Sequence, residues 1–155
     1  MMVIAILGIL VTLTAPTLWT LRDRVTKIVC AGHLRSLHCS LGAYLNDNEQ
    51  WPQCPEDLTQ SGEDQFWINA LNDYGAPENV WKCPSIAQRM EKDTTPDAQK
   101  IHYTPTQFDE NPLTPRKWAS MPWLIEISDV HGGGNLLIRT DGSVRTIQEA
   151  MKDAG

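Results

Sequence analysis

MMVIAILGILVTLTAPTLWTL (residues 1–21) is the stretch whose reading decides the fold. It carries no charge, and the first ionised side chain is Arg22. As a helix it rises about 31 Å at about 1.5 Å per residue, matching a hydrocarbon core of about 30 Å. Apolar residues surround its first turns on all sides instead of forming one stripe, which suits lipid or a helix bundle. A cleaved signal peptide fits less well. No basic segment precedes the run, it is long for such a peptide, and no small-x-small cleavage site follows.

The helical pattern continues past the apolar run. From Leu21 to Leu45 only Gly32 and Gly42 interrupt it, at about 1 kcal/mol each. The apolar side changes on the way. Leu21, Val25, Ile28 and Val29 share one face, whereas Leu34, Leu37, Leu41, Tyr44 and Leu45 share the nearly opposite face, in phase with Cys30. The first half is expected to bury itself against one partner and the second half to carry a folded domain. Asn46-Asp47-Asn48 and then Pro52 end the helix.

The remaining residues, 22–155, suffice for one modest domain with a single core. Asp and Glu outnumber Lys and Arg by 19 to 13, a net charge of -6, and no Lys/Arg cluster stands out. That excludes nucleic acid as a natural partner, because phosphate binding needs clustered cations.

Short elements with much loop are expected between residues 51 and 122. They comprise one helical turn at 55–58 with Pro55 at its first position, a helix over 63–72 closed by Gly75, a strand over 79–83 ended by Pro84, and a polar loop over 85–106. That loop holds a strand near 101–104, and a connector stiffened by Pro112, Pro115 and Pro122 follows. Strands are expected at 123–128, 135–140 and 143–147, with a helical turn over 148–152. Asp141-Gly142 reads as a two-residue hairpin turn with positive φ at both positions. The fold class is therefore α+β, a long helix packed on a small antiparallel sheet.

Candidate sites are few. The cysteines Cys30, Cys39, Cys54 and Cys83 form no C-x-x-C pair, so redox and haem-attachment motifs are absent. Cys30 and Cys39 lie about 13 Å apart along one helix and cannot bond to each other. If all four pair, Cys30–Cys83 with Cys39–Cys54 and Cys30–Cys54 with Cys39–Cys83 remain open. A zinc site from Cys30, His33, His38 and Cys39 fails on geometry, because Cys39 sits half a turn from Cys30 at about 100° per residue. His131 and Asp141 stand on either side of a strand, roughly 20 Å apart at about 3.4 Å per residue. Turn-and-cap roles for both are expected over a metal or acid–base site, and neither a metal nor a cofactor is assigned. Asp129 beside His131 is a lesser candidate for fixing the imidazole tautomer or holding a cation with loop carbonyls. Ser143 and the scattered His33, His38, His102 and His131 form no nucleophile–base constellation, so no enzyme is expected. Trp51, Trp67, Trp81, Trp118 and Trp123 read as core in preference to a carbohydrate-stacking surface.

Taken together, these pieces resemble the type IV pilin-like and type II secretion pseudopilin family, in its prepilin-type H-x9-DG subgroup. His131 followed by Asp141-Gly142 matches the H-x9-DG motif in full. MMVIAILGILVTLTAPTL resembles the body of the prepilin helix with Pro16 at its kink. Cys30-Ala31-Gly32-His33-Leu34-Arg35 resembles C-x-x-N-L-R with His33 in place of Asn, and Trp81-Lys82-Cys83-Pro84 resembles aromatic-x-Cys-Pro. Residues 46–52 resemble the polar turn ending in Pro that follows the family helix. The resemblance implies a pilin-like fold, with residues 1–21 as the transmembrane half of the helix and residues 22–155 as the extracytoplasmic domain. It implies a single-pass inner-membrane protein that reaches the cell surface when assembled, and a structural filament subunit as its function. The partners implied are the membrane and copies of itself or other pilin-like subunits, met through the N-terminal helix. It favours a Cys30–Cys83 bridge, with Cys39–Cys54 as the second. Calcium-binding members of the family bear on Asp129. Alignment of the apolar run and Pro16 starts Met1 about six residues inside the family's mature helix, so the basic leader, the Gly-Phe cleavage site and the following Glu are not in this sequence. Arg22, Arg24 and Lys27 taken alone orient the domain inward, and a basic leader would reverse that. The alternative is a membrane-tethered binding domain that does not assemble, with a Trp-rich surface for an envelope or extracellular ligand.

Overall fold

The structure is a computed structural model that describes the backbone of residues 2–90 and 99–153 and the side chains of residues 24–90 and 99–153. Helix α1 spans Met2–Asn48. The membrane-span reading of residues 1–21 falls outside the described side chains. Among the described residues, no helix is long and apolar enough to cross a membrane.

From Cys30 onward α1 buries one stripe. Cys30, Leu34, Leu37, Leu41 and Leu45 are all buried, at spacings of four, three, four and four residues that keep them on one face. The expected phase change is present, since Val25, Ile28 and Val29 are exposed. Ser40 is buried beside the stripe, and its hydroxyl donates to the Ser36 carbonyl. Glu49 ends the helix in the left-handed region, at φ 53°. Asn48 Nδ2 donates to the Tyr44 carbonyl and to the Tyr74 hydroxyl.

Helix α2 covers Gln60–Asn72 and starts three residues earlier than the hydrophobic pattern indicates, because Thr59 caps it by accepting from Gly62 N. Its end is a Schellman motif. Gly75 takes φ 87°, and the amides of Ala76 and Gly75 donate to the carbonyls of Leu71 and Asn72. The strand expected at 79–83 is instead a 3₁₀ turn, Glu78–Trp81, with Pro77 before it. The loop expected from residue 85 holds helix α3, Pro84–Met90. Pro84, expected to end a strand, instead opens α3. A proline also suits the first helical position, where no amide hydrogen is needed, and here it starts a helix. The same holds for α4, Thr114–Lys117, which interrupts the Pro-rich connector. The turn at 55–58 does not become a helix.

Four strands, β1 (Tyr103–Pro105), β2 (Pro122–Glu126), β3 (Leu136–Arg139) and β4 (Val144–Thr146), form an antiparallel meander in sequence order. Tyr103 pairs with Glu126, Leu124 with Ile138, and Ile138 with Val144. Pro105 sits on the edge strand β1, where a missing amide hydrogen is tolerated. The Asp-Gly hairpin is not the expected two-residue turn. Gly142 N donates to the Arg139 carbonyl and Arg139 N to the Ser143 carbonyl, so the loop is the three residues 140–142. Only Gly142, at φ 78°, is left-handed there, as in a type I turn closed by a glycine bulge.

Helix α5, Ile147–Asp153, begins where β4 was expected to continue. Thr146 N donates to Glu149 Oε2 and Glu149 N to Thr146 Oγ1, a reciprocal capping box. The buried stripe of α1 packs against the sheet, with Trp51, Trp81, Trp123, Leu124 and Ile138 filling the space between. The architecture is α+β, an N-terminal helix laid on a four-stranded antiparallel sheet.

Candidate functional site

At the head of the buried stripe, Cys30 turns its thiol toward the end of the sheet. Three other chain segments bring polar groups to the same point. Cys83 follows the 3₁₀ turn, and its amide donates to His102 Nδ1 at 2.9 Å, which leaves the His102 ring proton on Nε2. Burial pushes the His102 pKa down, so the ring stays a neutral acceptor. Glu126 is the last residue of β2, two residues after Leu124 and therefore on the same buried face. His131 lies on the loop from β2 to β3. Asp129 shapes that loop by accepting from Gly132 N at 2.9 Å and Gly134 N at 3.0 Å. Gly132, Gly133 and Gly134 all take positive φ, and this backbone turns the His131 ring inward.

The ligand-type atoms of Cys30, Cys83, Glu126 and His131 all lie within 4.8 Å of one another. Cys83 Sγ is 3.5 Å from His131 Nε2, and His131 Nε2 is 3.4 Å from Glu126 Oε1. The His131 and Glu126 side chains are 1% and 0% exposed. Glu126 Oε2 accepts from Leu136 N at 3.3 Å, while Oε1 is buried without a hydrogen-bond partner. Removal from water, with Cys83 beside it, pushes the Glu126 pKa up to about 8. Sharing of one thiol hydrogen bond holds the Cys30 pKa down and drives that of Cys83 up. Tyr103, fully buried, closes the site, and its own pKa is raised by burial.

His131 therefore does not cap a turn, as expected of it, but points into the core; the cap belongs to Asp129. Asp141 does cap its turn, accepting from Ser143 N at 2.8 Å. His131 and Asp141 remain on either side of β3, and each end of that strand meets α1 separately. The His131 end meets Cys30. At the other end His38 Nε2 donates to the Thr140 carbonyl at 3.0 Å, its ring lies on Trp123 at 4.5 Å, and a Cβ at Gly142 would stand 3.6 Å from it. Eight residues of helix, about 12 Å, separate these two attachments. The H-x9-DG spacing in this chain is thus one loop and one strand measured along the helix.

The other candidates scatter. His33 donates from Nδ1 to the Lys82 carbonyl at 3.1 Å. Cys39 is exposed, Cys54 is half-buried with its pKa raised by burial, and all four cysteines are free thiols. Of the pairings considered, Cys30 and Cys83 are the two that the fold brings into one cluster. Trp51, Trp67, Trp81 and Trp123 are buried, whereas Trp118 is exposed under Lys117, so these indoles form no stacking surface.

The four-residue cluster was missed in the sequence because its members are 53, 43 and 5 residues apart and no short motif contains them. One signal was available: Glu126 interrupts the buried phase of the strand WLIE. On the opposite face of α1, Val25 is 57% and Ile28 70% exposed. Comparison with family models, curated proteins and solved structures gives no match.

Proposed function

We propose that this chain is a structural subunit of a type IV pilus-like or type II secretion pseudopilus-like filament, a finer reading of the α+β architecture as pilin-like. Residues 1–21 anchor it in the inner membrane and residues 22–155 form the extracytoplasmic domain. It assembles through the N-terminal helix with copies of itself or other pilin-like subunits, and it catalyses no reaction.

The observation that carries this reading is the two-sided helix. One face is committed to the sheet, while Val25, Ile28 and Val29 stand exposed on the other, in line with an uncharged run of 21 residues. Exposed apolar residues continuous with such a run favour a helix–helix partner. The tethered binding-domain alternative relied on a tryptophan surface, and four of the five tryptophans considered for it are buried.

The test is Ile28→Asp in the full chain produced in a membrane. Ile28 is 70% exposed, so the domain folds as before while sedimentable assemblies are lost. Assemblies that persist unchanged in the Ile28→Asp chain would sink the proposal.

A further inference from the structure

We infer that Cys30, Cys83, Glu126 and His131 form a structural zinc site that joins α1 to the sheet. The ligand distances match a tetrahedral zinc ion. Zinc bonds of about 2.3 Å to sulfur and about 2.0–2.2 Å to nitrogen and oxygen, spread tetrahedrally, set ligand edges of about 3.6 Å for S···N and about 3.4 Å for N···O. The observed Cys83 Sγ···His131 Nε2 and His131 Nε2···Glu126 Oε1 distances are 3.5 Å and 3.4 Å.

The electrostatics of the cluster also call for a cation. The Glu126 carboxyl group has 0% side-chain exposure; its Oε1 has no hydrogen-bond partner and lies 3.4 Å from His131 Nε2, and the group lies within 4.8 Å of two sulfurs, so a cation there would stabilise its ionised form. Buried charges are paired or coordinate metals, and among the described residues no Lys or Arg forms an ion pair with Glu126, whose near neighbour is His131. A disulfide between Cys30 and Cys83 would fill none of that need, since it supplies no cation.

Ligand chemistry selects the ion. Two thiols and an imidazole are too soft a set for calcium or magnesium, which take oxygen. Four protein donors in a closed, buried site leave no position for substrate, which marks the metal as structural. On binding, the thiol protons of Cys30 and Cys83, and that of Glu126 when present, leave to solvent as the metal–ligand bonds form, and His131 binds as neutral imidazole through Nε2. The ion is held by α1, the segment after the 3₁₀ turn, β2 and the β2–β3 loop, so it fixes the level at which the helix enters the domain.

The experiment uses the full chain in detergent, loaded with zinc or with cobalt as a coloured substitute. The expected result is one metal per chain and the visible bands of tetrahedral cobalt with thiolate charge transfer. Cys30 and Cys83 should be alkylated only after chelation. His131→Ala should weaken zinc by at least about 100-fold, more than an outer-shell change of about 10- to 100-fold. The double variant Cys39→Ser/Cys54→Ser should bind as the parent does. Because the cobalt spectrum is read on the parent chain, the outcome does not depend on any variant folding. A Cys30–Cys83 disulfide in the metal-treated parent overturns the inference. So do reduced thiols that stay metal-free, octahedral cobalt without thiolate bands, or full binding by His131→Ala.

Discussion

Asp64→Ala probes how the loop before the sheet is held to α2. The Asp64 side chain is completely buried. One carboxylate oxygen accepts from the amides of Lys100 and Ile101, and the other from Gln60 Nε2 at 2.9 Å. Truncation leaves the Ile101 amide, itself buried, with no acceptor. Hydrogen bonds to a charged group contribute about 1.5–3 kcal/mol each, and an orphaned buried donor costs about 1–3 kcal/mol. Two backbone donors lose their acceptor, so a loss of about 3–5 kcal/mol is expected. That is a large part of a typical domain stability of about 5–15 kcal/mol. Asp64→Asn keeps an acceptor oxygen and should lose about half as much. Urea unfolding of the full chain in mild detergent, followed by tryptophan fluorescence, measures the change. The midpoint should fall with an unchanged slope. If Asp64→Ala unfolds within about 0.5 kcal/mol of the parent, a change typical of plain surface positions, the carboxylate does not clamp the loop to α2.

Other perturbations test other joints. Leu37→Ala, at a fully buried position of the α1 stripe, should cost about 2–5 kcal/mol in the same unfolding assay. Glu49→Gly should raise stability by about 0.5–1 kcal/mol, since Glu49 holds φ 53° and glycine takes that conformation without strain. Gly142→Ala should cost about 1–2 kcal/mol, because φ there is 78°. The Ser143 hydroxyl and amide hold the Asp141 pKa below its ordinary value of 3.8. Its contribution is therefore present above that value and is lost as pH falls below it. The difference in melting temperature between the parent and Asp141→Ala should accordingly shrink on going from neutral to strongly acidic pH.

Much of the fold was legible where one periodicity ran unbroken. The 3.6-residue phase of Cys30, Leu34, Leu37, Leu41 and Leu45 gave both the helix and its buried side, and the apolar runs gave β2 and β3. Proline misled at residues 84 and 115, where its missing amide hydrogen starts a helix as readily as it ends a strand. Thr146-Ile147-Gln148-Glu149 carried a capping-box signal that β propensity obscured. The buried acids taught the most. Asp64 stands four residues before Ile68 and seven before Leu71, on the buried face of α2, and Glu126 stands in the buried phase of β2. Polar residues at apolar positions of a period were the sequence trace of the loop clamp and of the Cys30–His131 cluster. Convergence of residues 30, 83, 126 and 131 depends on how separate segments pack, and local pattern does not encode that.

The most direct test of the filament reading is site-directed crosslinking of the full chain in membranes, in a Cys39→Ser background. Ile28→Cys on the free face of α1 is compared with Met151→Cys on α5, both positions being 70% exposed. Equal exposure makes packing, not access, the variable. Assembly through the helix gives intersubunit adducts through residue 28 and few through residue 151. Adducts equally frequent at both positions, or none at residue 28, would contradict assembly through the helix.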